Sequence, residues 1–342
     1  MKIEKIENVD FKILKDFSIS FKKLNLIVLV GINGSGKTTI LDFIEQKIKQ
    51  NKFDLKGDIY FTLKDIGDVI KSQNIYLIAN KYKINYQDIQ KKIVYIKAKD
   101  NKTSELKQNI VKYLKHLIFK QKIAPDDAYK RFNNFLNDVF KGMDLSISFS
   151  GLDENENIFF KNTFNQEVNI DSLSTGEKEI LNKIFYFFIN NTKDSVILID
   201  EPELSLHPSW QSYILKIYKN LSIKHNNQII IATHSPQIIT STPSESLYLL
   251  EKIDGKIIAQ NVDSYGKDIN SILVDVMGSE YLRDIDIEQQ IKKIKSLLYS
   301  EQLDLQKIQE EIEILEPMLQ NDHIELGMIK LELQRRIDAK DR

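Results

Sequence analysis

The 342-residue chain contains no cysteine. That removes disulfides, thiolate metal sites and cysteine nucleophiles, and it fits a reducing compartment. Charge of either sign is not in surplus: 48 Lys and Arg against 49 Asp and Glu leave a formal net charge of -1. No global field draws the chain to nucleic acid, so any DNA or RNA site must be a local patch. Long apolar runs are missing as well. LIVLV (26–30) and VILI (196–199) are strand-sized and far too short to span a membrane. MKIEKIENVD, at the start, is charged from its second residue and lacks the apolar core of a signal peptide. A cytoplasmic location with no membrane partner is the expectation. Arginine is scarce, with none between residues 132 and 282.

What is present reads as a large α/β protein with ample length for a core. KIEKIENV and FKILKDFSISF alternate as strands around a turn near Val9-Asp10, and LNLIVLV is a continuous apolar strand. A helix follows from about Lys37 to Lys49. KIVYIKA (92–98) is expected as a strand, and residues 103–120 and 126–141 as amphipathic helices. LSISFS, IFFKN and EVNI read as strands or hairpins, and ILNKIFYFFI as a strongly apolar helix. SVILID (195–200) and QIIIAT (228–233) are parallel-type strands separated by a helix, and a hairpin turns at Asp254-Gly255. From residue 267 onward the pattern is helical, with a short heptad seam from Leu305 to Leu319 that Pro317 interrupts.

One loop carries specific chemistry. Gly31, Gly36, Lys37 and Thr38 match G-x-x-x-x-G-K-[ST], directly after an apolar strand and opening a helix. Glycines let backbone N–H groups curl around a phosphate, and the helix N-terminus adds positive potential. Asn33, Gly34, Ser35, Gly36, Lys37, Thr38 and Thr39 are therefore assigned to a nucleoside triphosphate, ATP. Lys37 is expected on the β- and γ-phosphates, and the Thr38 hydroxyl on Mg²⁺. Asp200 ends VILID, where a carboxylate can hold Mg²⁺ at the carboxyl edge of a parallel sheet. Glu201 follows directly and can polarise the attacking water. Both acids together imply hydrolysis.

SLSTGEK (172–178) precedes an apolar helix, and IIIATHSP places His234 after a strand. With the phosphate loop and the acids, these resemble, in order, the motifs of ABC-type ATPases: LSTGEK the signature loop, His234 the switch histidine. The resemblance covers residues 1–36 and about 165–260 well and the stretch between only loosely. It implies an ABC-type head with a mixed core sheet, flanking helices and an antiparallel subdomain. On that reading the head is 1–50 and 143–262, a mixed or helical insertion is 51–142, and a C-terminal helical region is 263–342. It also implies a homo-oligomer in which two heads close head to tail around ATP. Ser174 and Gly176 of one protomer then meet the γ-phosphate held by the other, supplying in trans what an arginine finger supplies elsewhere. The arginine-poor sequence suits that device. Ser174 with Glu177 also reads as a helix capping box. Departing from the family pattern, no glutamine follows the 92–98 strand: Gln87, Gln90 and Gln108 are poorly placed.

DEPELSLHPSWQ resembles the RecF/SMC-like branch, above all OLD-type ATPases and standalone ATPases of prokaryotic defence systems. The helical tail carries no nuclease pattern, so the resemblance implies a separate effector, expected to be an HNH-type nuclease. His207 is expected at an interface and Trp210 to pack its helix on the sheet. The alternatives are an ATP-gated DNA clamp in repair and, less well supported, a transporter motor. Lysines between 81 and 122 either form a nucleic-acid stripe or a solvated face, and the Leu305–Leu319 seam either packs at home or binds a partner.

Overall fold

The computed structural model describes residues 1–21, 23–64, 66–97, 103–140, 147–162, 164–189, 192–263, 271–272, 274, 284–300, 304–319 and 324–340. The chain divides into two compact units, Met1–Ile272 and Leu273–Arg342. Among the described residues no helix is long and apolar enough to cross a membrane.

The first unit opens with β1 (Lys2–Phe11), β2 (Leu14–Ser20) and β3 (Leu26–Val30), then α1 (Lys37–Ile44). β1 and β2 make a hairpin whose turn lies at Lys12-Ile13, not at Val9-Asp10. Val9 is fully buried and stays in the strand, and left-handed Lys12 (φ 52°) supplies the turn. Asp10, which reads as a turn former, instead accepts from the Asp16 amide and pairs with Lys56. β4 (Lys56–Thr62) and β5 (Val69–Lys71) complete an antiparallel sheet in the order β2-β1-β4-β5. After α2 (Ile75–Lys81) and α3 (Tyr86–Lys91), β6 (Ile93–Ile96) returns to the core. Much of the stretch expected as an insertion is thus woven into the head's two sheets. What stands outside them is the pair α4 (Thr103–Lys115) and α5 (Pro125–Phe140). The join at 141–146 and the start of the C-terminal region at 264–270 lie outside the described residues, as do the five positions after Lys97 where a glutamine was sought.

β7 (Ser148–Leu152), β8 (Ile158–Lys161) and β9 (Glu167–Asn169) form a small antiparallel sheet that leads into α6 (Thr175–Ile189). Then come β10 (Val196–Asp200), α7 (Pro208–His225), β11 (Gln228–Ala232), α8 (Pro236–Thr240), β12 (Leu247–Ile253) and β13 (Lys256–Asn261). The core sheet runs β13-β12-β3-β11-β10-β6, parallel except for β13. Apart from Asp200 at the end of β10 and Gln228 at the start of β11, strands β3, β10 and β11 are apolar because both faces are covered. Gln228, the polar residue that opens β11, is buried. It accepts from the Ile3 amide and donates to the Ile3 and Leu24 carbonyls, tying the antiparallel sheet to the core sheet.

An aromatic cluster fixes α6 to the helical pair. Phe132 of α5 lies 5.3 Å from Phe185 of α6 and 5.1 Å from Phe149 of β7, ring centre to ring centre, and Tyr113 of α4 lies 5.8 Å from Phe185. In the second unit, α9 (Ile285–Leu298), α10 (Leu305–Leu315) and α11 (Ile324–Lys340) share a core. Ile308, Ile312, Leu315 and Leu319 of the heptad seam are buried there against Ile291, Ile294, Leu298, Leu326 and Ile329. The seam therefore packs within its own unit, and Pro317 sits in a short 3₁₀ turn, Glu316–Met318, that ends α10. Phe132→Ala removes a fully buried ring from the aromatic cluster, and urea denaturation should show a loss of about 3–5 kcal/mol.

Candidate functional site

Parallel pairing sets the site's frame. Ile231 lies beside Ile199 and Val28, and Asp200 beside Ala232. The chain therefore leaves β3, β11 and β10 at one carboxyl edge, where α/β sheets bind ligands. The glycine loop follows β3. Gly31 has φ 145°, and a Cβ there would stand 2.4 Å from the Leu250 carbonyl oxygen, so a side chain has no room. Asn33 and Gly34 lie exposed at the loop's crown, Ser35 and Gly36 are buried beneath them, and half-buried Thr39 follows in the first turn of α1. Lys37 is buried and folds back over the loop, donating to the carbonyls of Gly31 (2.8 Å) and Ile32 (3.1 Å). Burial lowers its pKa to about 8 against the pull of Glu201, Asp200 and Glu203.

Thr38 Oγ1 donates to the Asp200 carboxylate, 3.0 and 3.1 Å from its two oxygens. Burial pushes that carboxyl up to about 6; the Thr38 bond opposes the shift and Glu201 adds to it. Among the described residues no three His, Cys, Asp or Glu converge as a metal cage. A single hydroxyl and carboxylate, both hard oxygen donors, suit Mg²⁺, which keeps waters and takes substrate phosphates as further ligands. Glu201 sits in the left-handed region (φ 47°) with its amide bonded to the Ala232 carbonyl. That conformation costs an ordinary residue about 1–3 kcal/mol and re-aims the side chain as the strand ends. Glu201 Oε1 is 3.8 Å from His234 Nε2, a neighbour rather than a hydrogen-bond partner. Burial, then the Lys37 charge, hold the imidazole below its ordinary pKa, so it is neutral at pH 7.

Ser174 caps α6. Its Oγ accepts from the Glu177 amide (3.2 Å) and its own amide donates to Glu177 Oε2 (2.7 Å), the reciprocal capping box. Gly176 is closely packed by its neighbour: a Cβ there would lie 3.1 Å from the Trp210 ring and 3.3 Å from the Ser205 carbonyl oxygen, so the ring would have to shift by a few tenths of an ångström. Trp210 thus packs on the turn that opens α6, a contact not foreseen from the sequence. His207 caps α7, its Nδ1 accepting from the Ser209 amide, and its ring lies 6.5 Å from that of Trp210.

Two residues of this frame escape sequence reasoning. Glu203 turns its carboxylate under the switch loop, where Oε1 accepts from Thr233 Oγ1 and from the His234 amide, each at 2.7 Å. Burial raises its pKa despite both bonds. Lys183 is a lone lysine in the apolar helix ILNKIFYFFI, with Glu179 one turn earlier. It donates to the carbonyls of Pro202 (2.9 Å) and Leu204 (3.1 Å), binding the segment after the acids to α6. Burial outranks the ion pair for both partners, lowering Lys183 and raising Glu179. A charge inside an apolar run was the available signal. Gln90 is occupied by the Lys49 carbonyl. Among the lysines of the candidate stripe, Lys91, Lys92, Lys107 and Lys115 are bound to Asp88, the Lys193 carbonyl, Asn157 and Glu156.

A glycine loop, a hydroxyl–carboxylate pair and a glutamate beside a histidine, all at one edge of a mixed sheet, define an ABC-type nucleotide-binding head. Known proteins agree. A family profile described as "AAA domain, putative AbiEii toxin, Type IV TA system" matches residues 73–240. The chain is similar to Septu protein PtuA of Bacillus thuringiensis, 27% identical over 76% of this chain and 80% of that protein. It is similar also to the retron Vc95 probable ATPase of Vibrio cholerae serotype O1 biovar El Tor, 26% identical over 74% of this chain and 50% of that one. Among solved structures, an SMC head bound to the C-winged helix domain of ScpA superposes with a TM-score of 0.54 at 19% identity, covering 77% of this chain and 99% of that chain. The chain has the fold of an ABC-type P-loop ATPase head and is similar in sequence to Septu PtuA and to a retron ATPase. Lys183→Met leaves the Pro202 and Leu204 carbonyls and Glu179 without their cation, so chemical denaturation should register a loss of about 2–4 kcal/mol.

Proposed function

We propose that this protein binds and hydrolyses ATP, closes head to tail with a second copy around it, and regulates or senses for a separate nuclease in prokaryotic anti-phage defence. The observation that carries the hydrolytic part is the meeting of Lys37, the Thr38–Asp200 pair and the Glu201–His234 pair at one carboxyl edge. In this reading Lys37 exchanges the Gly31 and Ile32 carbonyls for β- and γ-phosphate oxygens, and a charged ligand holds it protonated. Thr38 and Asp200 would hold Mg²⁺, which supplies neutralisation of phosphate charge. Glu201 orients the attacking water and takes its proton, and neutral His234 donates a hydrogen bond to the γ-phosphate. Ser174 and Thr175 are exposed at the start of α6, a placement suited to meeting a partner's γ-phosphate. Similarity to a Septu protein and a retron ATPase supports the defence role, and the HNH-type nuclease is the expected effector.

Glu201→Gln should keep ATP affinity within about threefold while turnover falls about 100-fold or more, and a stable dimer should appear with ATP in size-exclusion chromatography. Turnover equal to wild type would remove Glu201 from the chemistry. Ser174→Arg should bind ATP as a monomer and fail to dimerise; loss of binding itself would argue against a contact in trans. Trp210 is the only tryptophan and packs on Gly176, so its emission reports closure at the signature turn without a label.

A further inference from the structure

Two strand ends have to present a glutamate and a histidine to the same water. Glu201 leaves β10 and His234 leaves β11, on separate loops. Their backbones meet once, where the Glu201 amide donates to the Ala232 carbonyl at 2.8 Å. Beyond that point something must keep the imidazole opposite the carboxylate.

We infer that Glu203 is the positioning residue for His234, its Oε1 holding the His234 amide and the Thr233 hydroxyl so that the loop after the acids sets where the imidazole stands. The inference rests on the hydrolytic reading above. Oε1 takes both donors at 2.7 Å. Thr233 is fully buried, and its Oγ1 in turn accepts from the Ser235 amide at 3.0 Å. Ser235 Oγ accepts from the Ile238 amide and caps α8. The turn from residue 233 to 235 is held by this oxygen together with the Leu29 carbonyl, which accepts from the Thr233 amide, and Gln211 Oε1, which accepts from Ser235 Oγ. The other end of the device is also fixed. Lys183 grips the carbonyls of Pro202 and Leu204, the residues on either side of Glu203, from the helix that Ser174 begins. Glu203 is thus held from the signature helix and holds the histidine. Oε1 is committed to this loop, while Oε2 is buried with no hydrogen-bond partner among the described residues.

The test compares Glu203→Ala, which deletes the acceptor, with Glu203→Gln, whose amide oxygen still accepts both bonds. ATP hydrolysis by Glu203→Ala should lose at least about tenfold in kcat with KM within about twofold, and Glu203→Gln should recover to within about threefold of wild type. A residue that only stabilised the fold would not separate kcat from KM or be rescued by its isostere. Amide hydrogen exchange on the nucleotide-free protein reads the bond directly: exchange at His234 should rise about tenfold or more in Glu203→Ala, with Ile27–Val30 unchanged. Should the alanine variant not fold, Glu203→Asp, which keeps the charge but loses reach, carries the same expectation. Wild-type kcat in the truncated variants, or unchanged exchange at His234, overturns the inference. Absence of turnover in wild type instead overturns the hydrolytic reading, and the exchange result then still decides whether Glu203 holds the loop.

Discussion

Parallel register is the constraint on which the rest of this molecule depends. Because β3, β11 and β10 run the same way and pair residue for residue, their loops leave at one level of one edge. Three segments far apart in sequence, after Val30, Asp200 and Ala232, are delivered to a single rim. Had any one strand been reversed, its loop would emerge about 17 Å away, the length of a five-residue strand. At the opposite end of β11, the buried polar staple at Gln228 binds both Ile3 and Leu24 and ties the antiparallel sheet to the core sheet.

The rim is also where burial and charge conflict, and the conflict is resolved differently at each position. Lys37 and Asp200 are pushed toward their neutral forms by desolvation, since neither has a full counterion. A ligand of opposite charge would restore each to its charged form. Lys183 and Glu203 are desolvated too, but their hydrogen bonds go to backbone groups of neighbouring loops. The first pair faces chemistry and the second pair holds the loops that present it. Both follow from one rule: a charge taken from water must be given partners.

Much of this was legible in the sequence. Motif spacing located the glycine loop, the adjacent acids, the capping box and the histidine, because each depends on residues close in the chain. Strand-sized apolar runs revealed the core sheet for the same reason. Other features were not legible. The hairpin turn falls at Lys12-Ile13 because Val9 is buried within the strand and Lys12 adopts the left-handed conformation, which Asp10 as a common turn former did not reveal. Trp210 was expected to pack its helix on the sheet, and its contact with Gly176 on a different helix was not foreseen. The Leu305–Leu319 seam left open whether it packs at home or binds a partner, because a heptad pattern records that a face is apolar without recording what covers it.

Local pattern, then, determined the elements, the phosphate loop and the class of chemistry. Side-chain chemistry and short-range backbone geometry are written along the chain. Tertiary structure alone decided which side chains serve the site from a distance. Glu203 gains its meaning from a hydroxyl and an amide thirty and thirty-one residues later, and Lys183 from carbonyls nineteen and twenty-one residues later. Hydrogen bonds between loops depend on where the sheet puts them, and no period or motif in the sequence encodes that distance.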